Sequence, residues 1–178
     1  RKAGLLKVRV ERGLELLDAG VSEAFAVADH QVAHVYVNKP ESLAEVKRLL
    51  ENTEGVETVL DAASKRQHGI DHPRAGELVV IANADSWLTY YYWLADDRAP
   101  DFARNVDIHN KPGYDPAEMF LDPEKMFIYP RVVLKVLKKK LGFRMNMNVI
   151  PLRADMIKGS HGRTDLPKAY RPVLISKQ

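Results

Sequence analysis

The chain has 178 residues, of which 46% are hydrophobic and 29% charged, and its formal net charge is +3. This size and balance are typical of one globular domain and exclude a disordered chain. No apolar run approaches the roughly 20 residues that span a bilayer, the charged start RKAGLLKVRVERGLELL is too polar for a signal peptide, and the lack of cysteine excludes disulfides, thiolate metal sites and cysteine nucleophiles. We therefore expect no membrane partner and a cytoplasmic location.

The first part of the chain predicts helices that alternate with short strands. Leucines and valines within residues 5–17 have the spacing of an amphipathic helix. The run EAFAVA predicts a buried strand with Asp29 and His30 at its C-terminal end, and HVYV predicts a second strand. Residues 40–55 predict a helix that ends at a glycine, and residues 56–60 predict the strand that follows it.

The remainder predicts a hairpin, a stretch of loops and another helix. Residues 78–82 and 87–94 predict the two strands of a β-hairpin. Residues 95–129 are dense in Pro, Asp and Asn and predict long loops, residues 131–141 predict a helix, and RPVLISK predicts a closing strand. Because strands alternate with helices, we expect residues 1–178 to form one α/β domain to which the hairpin adds an antiparallel element.

Two histidines four residues apart, His30 and His34, raise the question of a metal site. A zinc-protease helix carries a glutamate directly after the first histidine, but Gln31 stands there and cannot act as a base. The flanking segments also resemble strands, which place alternate residues on opposite faces. The other interpretation is a metal-binding pair, Asp29 and His30, at the end of a strand, where zinc or manganese would suit the donors. A histidine hydrogen-bonded at the start of a loop remains the structural alternative.

Two polar loops carry further candidates. In KGSHGRTD, His161 is flanked by glycines that leave its imidazole open to a partner, although an ordinary surface turn has the same pattern. Arg163 could bind a phosphate oxygen or lie in solvent. In DIHNKPGYDP, Asp107, His109 and Lys111 form either a substrate-facing cluster or a polar loop stabilised by its own turn residues.

These motifs resemble, in order, the C-terminal portion of type I phosphodiesterase/nucleotide pyrophosphatase proteins of the alkaline phosphatase superfamily. The matching segments are AFAVADHQVAHVYV, LLENTEGVETVL, HPRAGELVVIANADSWL and KGSHGRTD. The resemblance implies an alkaline-phosphatase-like fold with helices packed on a sheet, and residues 40–130 as an α+β insertion between the metal-ligand motifs.

The resemblance also implies a site with two divalent metal ions about 4 Å apart. Zinc is the expected metal, with manganese as the alternative. Asp29 and His30 would bind one ion and His161 the other. His109 and Arg163 are the candidates for binding the substrate, which would be a phosphoester or a nucleotide.

The family's N-terminal half carries an Asp ligand, a Thr or Ser nucleophile and an Asp-x-x-x-His pair, and none of these is found here. We therefore expect a fragment of a longer hydrolase that has part of a two-metal site, lacks a nucleophile and is inactive alone, with a homodimer formed through an exposed sheet edge. The alternatives are a stand-alone α/β binding module without catalysis and a nucleic-acid binder that uses the basic residues 135–144. We do not expect nucleic acid to be a specific partner, because no known motif accompanies that cluster.

Overall fold

The computed structural model describes residues 1–107, 110–163, 165–171, 173 and 175–176. Within these residues the architecture is mixed α/β, with two antiparallel sheets and few helices. A two-stranded sheet contains β1 (Val8–Glu11) and β2 (Leu14–Leu17), and a four-stranded sheet in the order β3-β4-β6-β5 contains β3 (Ala24–Asp29), β4 (Val32–Val37), β5 (Val56–Leu60) and β6 (Leu78–Ala82). The α-helices are α1 (Leu43–Glu51), α2 (Ala62–Gln67) and α3 (Ile128–Lys140). None of the described helices is both long enough and apolar enough to cross a membrane.

The predicted N-terminal helix is wrong, because this segment forms the β1–β2 hairpin. Arg12 and Gly13 both adopt positive φ angles, 52° and 85°, and a two-residue turn of this kind reverses the chain. The strand also turns a charged residue inward, since Glu15 is only 2% exposed and accepts a hydrogen bond from the side chain of Arg1. A helix built on the leucine spacing would have left Glu15 facing solvent.

The predicted hairpin of residues 78–94 is half right. β6 forms at Leu78–Ala82, but residues 87–94 are not a strand. Both edges of β6 are already paired, one with β4 and the other with β5, so no edge is free for a third partner. The aromatic side chains expected on the missing strand instead form a cluster around Trp93 that packs against Ala99, Ala103 and Leu152.

The other predicted elements are confirmed where the structure describes them. β3, β4, β5, α1 and α3 form where the sequence predicts strands and helices, and residues 95–107 and 110–127 are loops with short 3-10 helices. The described residues of RPVLISK are not in a strand, and the rest of that segment lies outside the description. β5 and β6 lie within residues 40–130 but share a sheet with β3 and β4, and the predicted insertion of residues 40–130 stays a prediction. The homodimer also stays a prediction.

The four-stranded sheet and α1 enclose the main core. α1 packs against β5, with Val46 as its buried contact. Leu78 and Val80 of β6 are almost completely buried at the centre of the sheet. The turn between β3 and β4 therefore projects from a rigid element, and this turn carries Asp29 and His30.

Candidate functional site

The candidate site is built on the two-residue turn that joins β3 to β4. His30 adopts φ 59°, a left-handed conformation that non-glycine residues rarely take, and its side chain is buried. Its carbonyl accepts a 2.6 Å hydrogen bond from the backbone N–H of Leu88. The interpretation of this segment as strand rather than zinc-protease helix is confirmed, because His34 lies in β4 opposite Val27 of β3.

Gln31 ties the turn to the segment that follows β6. Its side-chain amide donates to the carbonyls of Asn83, Ala84 and Ser86 at 3.1–3.3 Å. Its own carbonyl accepts a hydrogen bond from the backbone N–H of Ala82. A buried amide that faces three acceptors needs a donor at its end, so glutamine serves here and glutamate would not.

His30 and Asp29 present two potential metal donors side by side. The Nε2 atom of His30 lies 3.9 Å from Oδ1 of Asp29, whose side chain is 79% exposed. The other ring nitrogen, Nδ1, lies 2.9 Å from the hydroxyl of Ser160. If that hydroxyl accepts the Nδ1 proton, Nε2 keeps the lone pair that a metal requires.

His161 reaches the same place from the far end of the chain. Its ring stacks on that of His30, with centroids 4.0 Å apart and planes inclined by 23°. Its backbone carbonyl accepts a 2.9 Å hydrogen bond from the N–H of Gln31, which holds the two segments together. Gly162, at φ 119°, allows the close passage, because a Cβ there would lie 3.4 Å from the carbonyl oxygen of Asp29.

The electrostatic surroundings keep the His30 imidazole neutral. Burial and, to a lesser extent, the neighbouring His161 lower the pKa of His30, while Asp29 and Asp115 act in the opposite direction. Burial raises the pKa of the Asp115 carboxyl, whose side chain also accepts hydrogen bonds from Tyr91 and from the N–H of Ala117. A neutral imidazole is the protonation state that binds a metal ion.

Two clefts flank the turn. One, of about 320 Å³, contains Asp29 and the rings of Tyr90, Tyr92 and Tyr114. The other, of about 630 Å³, lies on the side of Gln31 and Ser160. A ligand in the first cleft would have the exposed carboxylate of Asp29 at its wall.

The two residues predicted to bind the substrate are His109 and Arg163. His109 lies outside the described residues. Arg163 is not in solvent, because its side chain is 6% exposed and each of its five N–H groups has an acceptor among Glu57, Asp165 and the carbonyl of Ala82. In this arrangement Arg163 has no donor left for a phosphate.

Lys111 of the segment DIHNKPGYDP is held by residues outside that segment. Nζ of Lys111 lies 2.6 Å from Oε1 of Glu118 in a buried ion pair, and it also donates to the carbonyls of Phe102 and Asn105. Lys111 is thus committed to the fold rather than to a substrate-facing cluster, and the role of the segment stays a prediction.

Comparison with protein-family models identifies the origin of the chain. Residues 1–115, which include the β3–β4 turn, match the model of the type I phosphodiesterase / nucleotide pyrophosphatase family. The chain belongs to this family. No curated protein and no solved structure matches it. Ser160 and His161 lie beyond the matched residues. Members of the family generally use divalent metal ions.

The donors fit the family's metal ions only in part. Among the described residues, no group of three or more His, Cys, Asp or Glu side chains could hold a metal ion. Nearly parallel rings cannot both aim in-plane lone pairs at one ion, so His30 and His161 do not share a metal. They could each face one of two neighbouring ions, with Asp29 beside His30.

Sequence reasoning missed two members of the site. Ser160 adjoins His161 in the sequence, but its partner His30 is 130 residues away. Asp115 precedes a proline and caps a short 3-10 helix, which hides its proximity to His30. Only the Asp-Pro cap signal was available for Asp115, and it indicates a turn rather than a site.

Proposed function

We propose that this chain supplies part of the metal site of a phosphodiesterase or nucleotide pyrophosphatase-like hydrolase. The observation that carries the proposal is the packing of His161 on His30 beside the exposed carboxylate of Asp29. Family membership supports the reaction class, which is hydrolysis of a phosphoric ester or anhydride.

In this proposal each residue has a defined task. Asp29 and His30 bind one divalent ion and His161 binds a second, with zinc expected and manganese as the alternative. When bound, two such ions stabilise the charge on a phosphoryl group during its transfer. Ser160 orients the His30 ring through Nδ1, and the turn fixes the backbone of both ligands.

The remaining metal ligands and the nucleophile would have to come from outside these 178 residues. Two donors for one ion and one for the other fall short of the three protein ligands that catalytic zinc sites use. We therefore expect this chain alone to bind zinc weakly and to hydrolyse no phosphodiester.

The test is calorimetric titration of zinc into the chain, together with the variants Asp29→Asn and His161→Ala. His72→Ala is the matched control, because His72 is exposed and its Nδ1 atom accepts a hydrogen bond from the backbone N–H of Arg74. A model substrate such as bis-p-nitrophenyl phosphate, assayed with zinc, checks the expected lack of activity.

We expect the chain to bind zinc, with lower affinity in Asp29→Asn and His161→Ala and unchanged affinity in His72→Ala. Equal loss in His72→Ala would show that the signal comes from surface histidines in general. No binding by the unmodified chain would overturn the assignment of these ligands and favour a binding module without catalysis.

A further inference from the structure

Helix α3 leaves its apolar side uncovered, and this feature is independent of the site at the β3–β4 turn. Tyr129, Val133 and Leu137 repeat every four residues, and Leu134 and Leu141 lie beside them on the helical surface. These five residues are between 51% and 73% exposed. Ile128 and Val132, on the opposite side of the helix, are half-buried.

The same helix is strongly basic. From Lys125 to Ala154 the sequence contains eight lysine and arginine residues and no aspartate or glutamate. Arg131, Lys135 and Lys138 repeat at intervals of four and three residues, along the side next to the apolar one. Neither Arg131 nor Lys138 forms an ion pair with any described residue.

We propose that α3 binds the surface of an anionic lipid membrane. An exposed apolar side bordered by lysine and arginine is the pattern of a helix that lies in the interface, with its apolar side chains among the acyl chains and its cations near the headgroups. Phe127 and Phe143, exposed at either end of the helix, would add to the inserted area.

The charges argue against two other occupants. A second copy of α3 packed on the same side would bring lysines and arginines together without an acidic residue to offset them. Nucleic acid would attract the cations, but phosphate contacts make no use of exposed leucine, valine and tyrosine. The expectation of no membrane partner rested on the lack of a spanning segment, and it does not cover a helix that lies on one surface.

The test is co-sedimentation of the full chain with vesicles of phosphatidylcholine alone and of phosphatidylcholine with phosphatidylserine. The double variant Leu134→Gln/Leu137→Gln removes apolar contacts, and Arg131→Gln/Lys138→Gln removes two cations from the basic side. Val21→Gln and Lys2→Gln are the matched controls, since both residues are exposed elsewhere on the surface. Circular dichroism verifies that each variant is folded.

We expect binding to the phosphatidylserine vesicles only, weakened by added salt. The Arg131→Gln/Lys138→Gln variant should bind roughly 30-fold more weakly, because each cation near an anionic surface raises affinity about fivefold. The leucine variant should lose at least about tenfold, and the controls should bind normally. A chain that ignores both kinds of vesicle would refute the proposal. So would binding to duplex DNA that depends on these cations alone, or a dimer that the leucine variant dissociates.

Discussion

The side chain of Gln31 offers the sharpest test of the turn's architecture. Its amide has two hydrogens and faces three carbonyl oxygens at 3.1–3.3 Å, within a residue that is 5% exposed. Gln31→Met keeps the length of the side chain but loses these hydrogen bonds. At about 0.5–1.5 kcal/mol for each net bond, the free energy of unfolding should fall by about 1–3 kcal/mol. For a chain of this size, that corresponds to a melting temperature lower by roughly 2–4 °C per kcal/mol.

Gln31→Glu should be worse at neutral pH, because it places a carboxylate against three carbonyl dipoles. We expect a loss of about 3–5 kcal/mol. Repulsion and burial would raise the pKa of the new carboxyl, so the folded state would take up a proton more readily than the unfolded state. The variant should therefore gain stability relative to Gln31→Met as the pH falls, and lose it again as the pH rises through the raised pKa.

The assay is urea unfolding followed by circular dichroism at several pH values, with Gln67→Glu as the control on an exposed glutamine of α2. The control should change stability by no more than about 0.5 kcal/mol. If Gln31→Glu were as stable as Gln31→Met at neutral pH and showed no gain in acid, the amide would not face these carbonyls.

Three further substitutions examine the surroundings of the site. Ser160→Ala removes the hydroxyl that contacts Nδ1 of His30, so zinc affinity measured by calorimetry should fall about 10- to 100-fold. The free energy of unfolding in urea should fall by only about 1 kcal/mol. Unchanged zinc affinity would assign Ser160 to the fold alone. Lys111→Met should cost about 3–5 kcal/mol in the same unfolding assay, because it leaves the buried carboxylate of Glu118 unpaired. Adding Glu118→Leu should restore most of that loss, and failure to do so would mean that the pair is not the cause. In His30→Asn the dependence of the free energy of unfolding on pH should be flatter below pH 6.5. Asparagine is chosen because it accepts the left-handed backbone conformation of this turn. The folded state of the unmodified chain holds His30 with a lowered pKa and so loses stability as the pH falls from 6.5 towards that value; an equal slope in the variant would assign the dependence to other groups.

Local sequence signals were sufficient for much of the four-stranded sheet. β6 is a short apolar run and β5 has three apolar residues in five. α1 presents Val46 to the core, and Gly55 follows shortly after its end. Local sequence signals were insufficient for β1 and β2, because the leucines there also fit the spacing of a helix. The burial of Glu15 distinguishes the strand from the helix, and the sequence does not show that burial. That burial depends on Arg1 and Arg98, whose guanidinium nitrogens lie 3.1 Å and 3.3 Å from the same carboxylate oxygen, Oε1 of Glu15.

The aromatic segment shows a second limit. The residues from Tyr90 to Trp93 have high β-propensity, but this propensity is realised only where a sheet edge and a packing surface are available. Because β4 and β5 occupy both edges of β6, the tyrosines instead pack around Trp93, with ring centroids 4.7–5.7 Å from it. No local pattern records which edges are already paired.

One part of the candidate site could be predicted from local sequence, and the other part could not. Asp29 and His30 were recognisable as a donor pair at the end of a strand. Their relation to His161 depends on a hydrogen bond from Gln31 and on the close passage of Gly162, contacts that only the folded chain supplies. The residues that fix this geometry are therefore different from those that would bind metal. This separation is why a turn can be held rigidly by Gln31 and Gly162 while Asp29 and His161 remain exposed to a ligand.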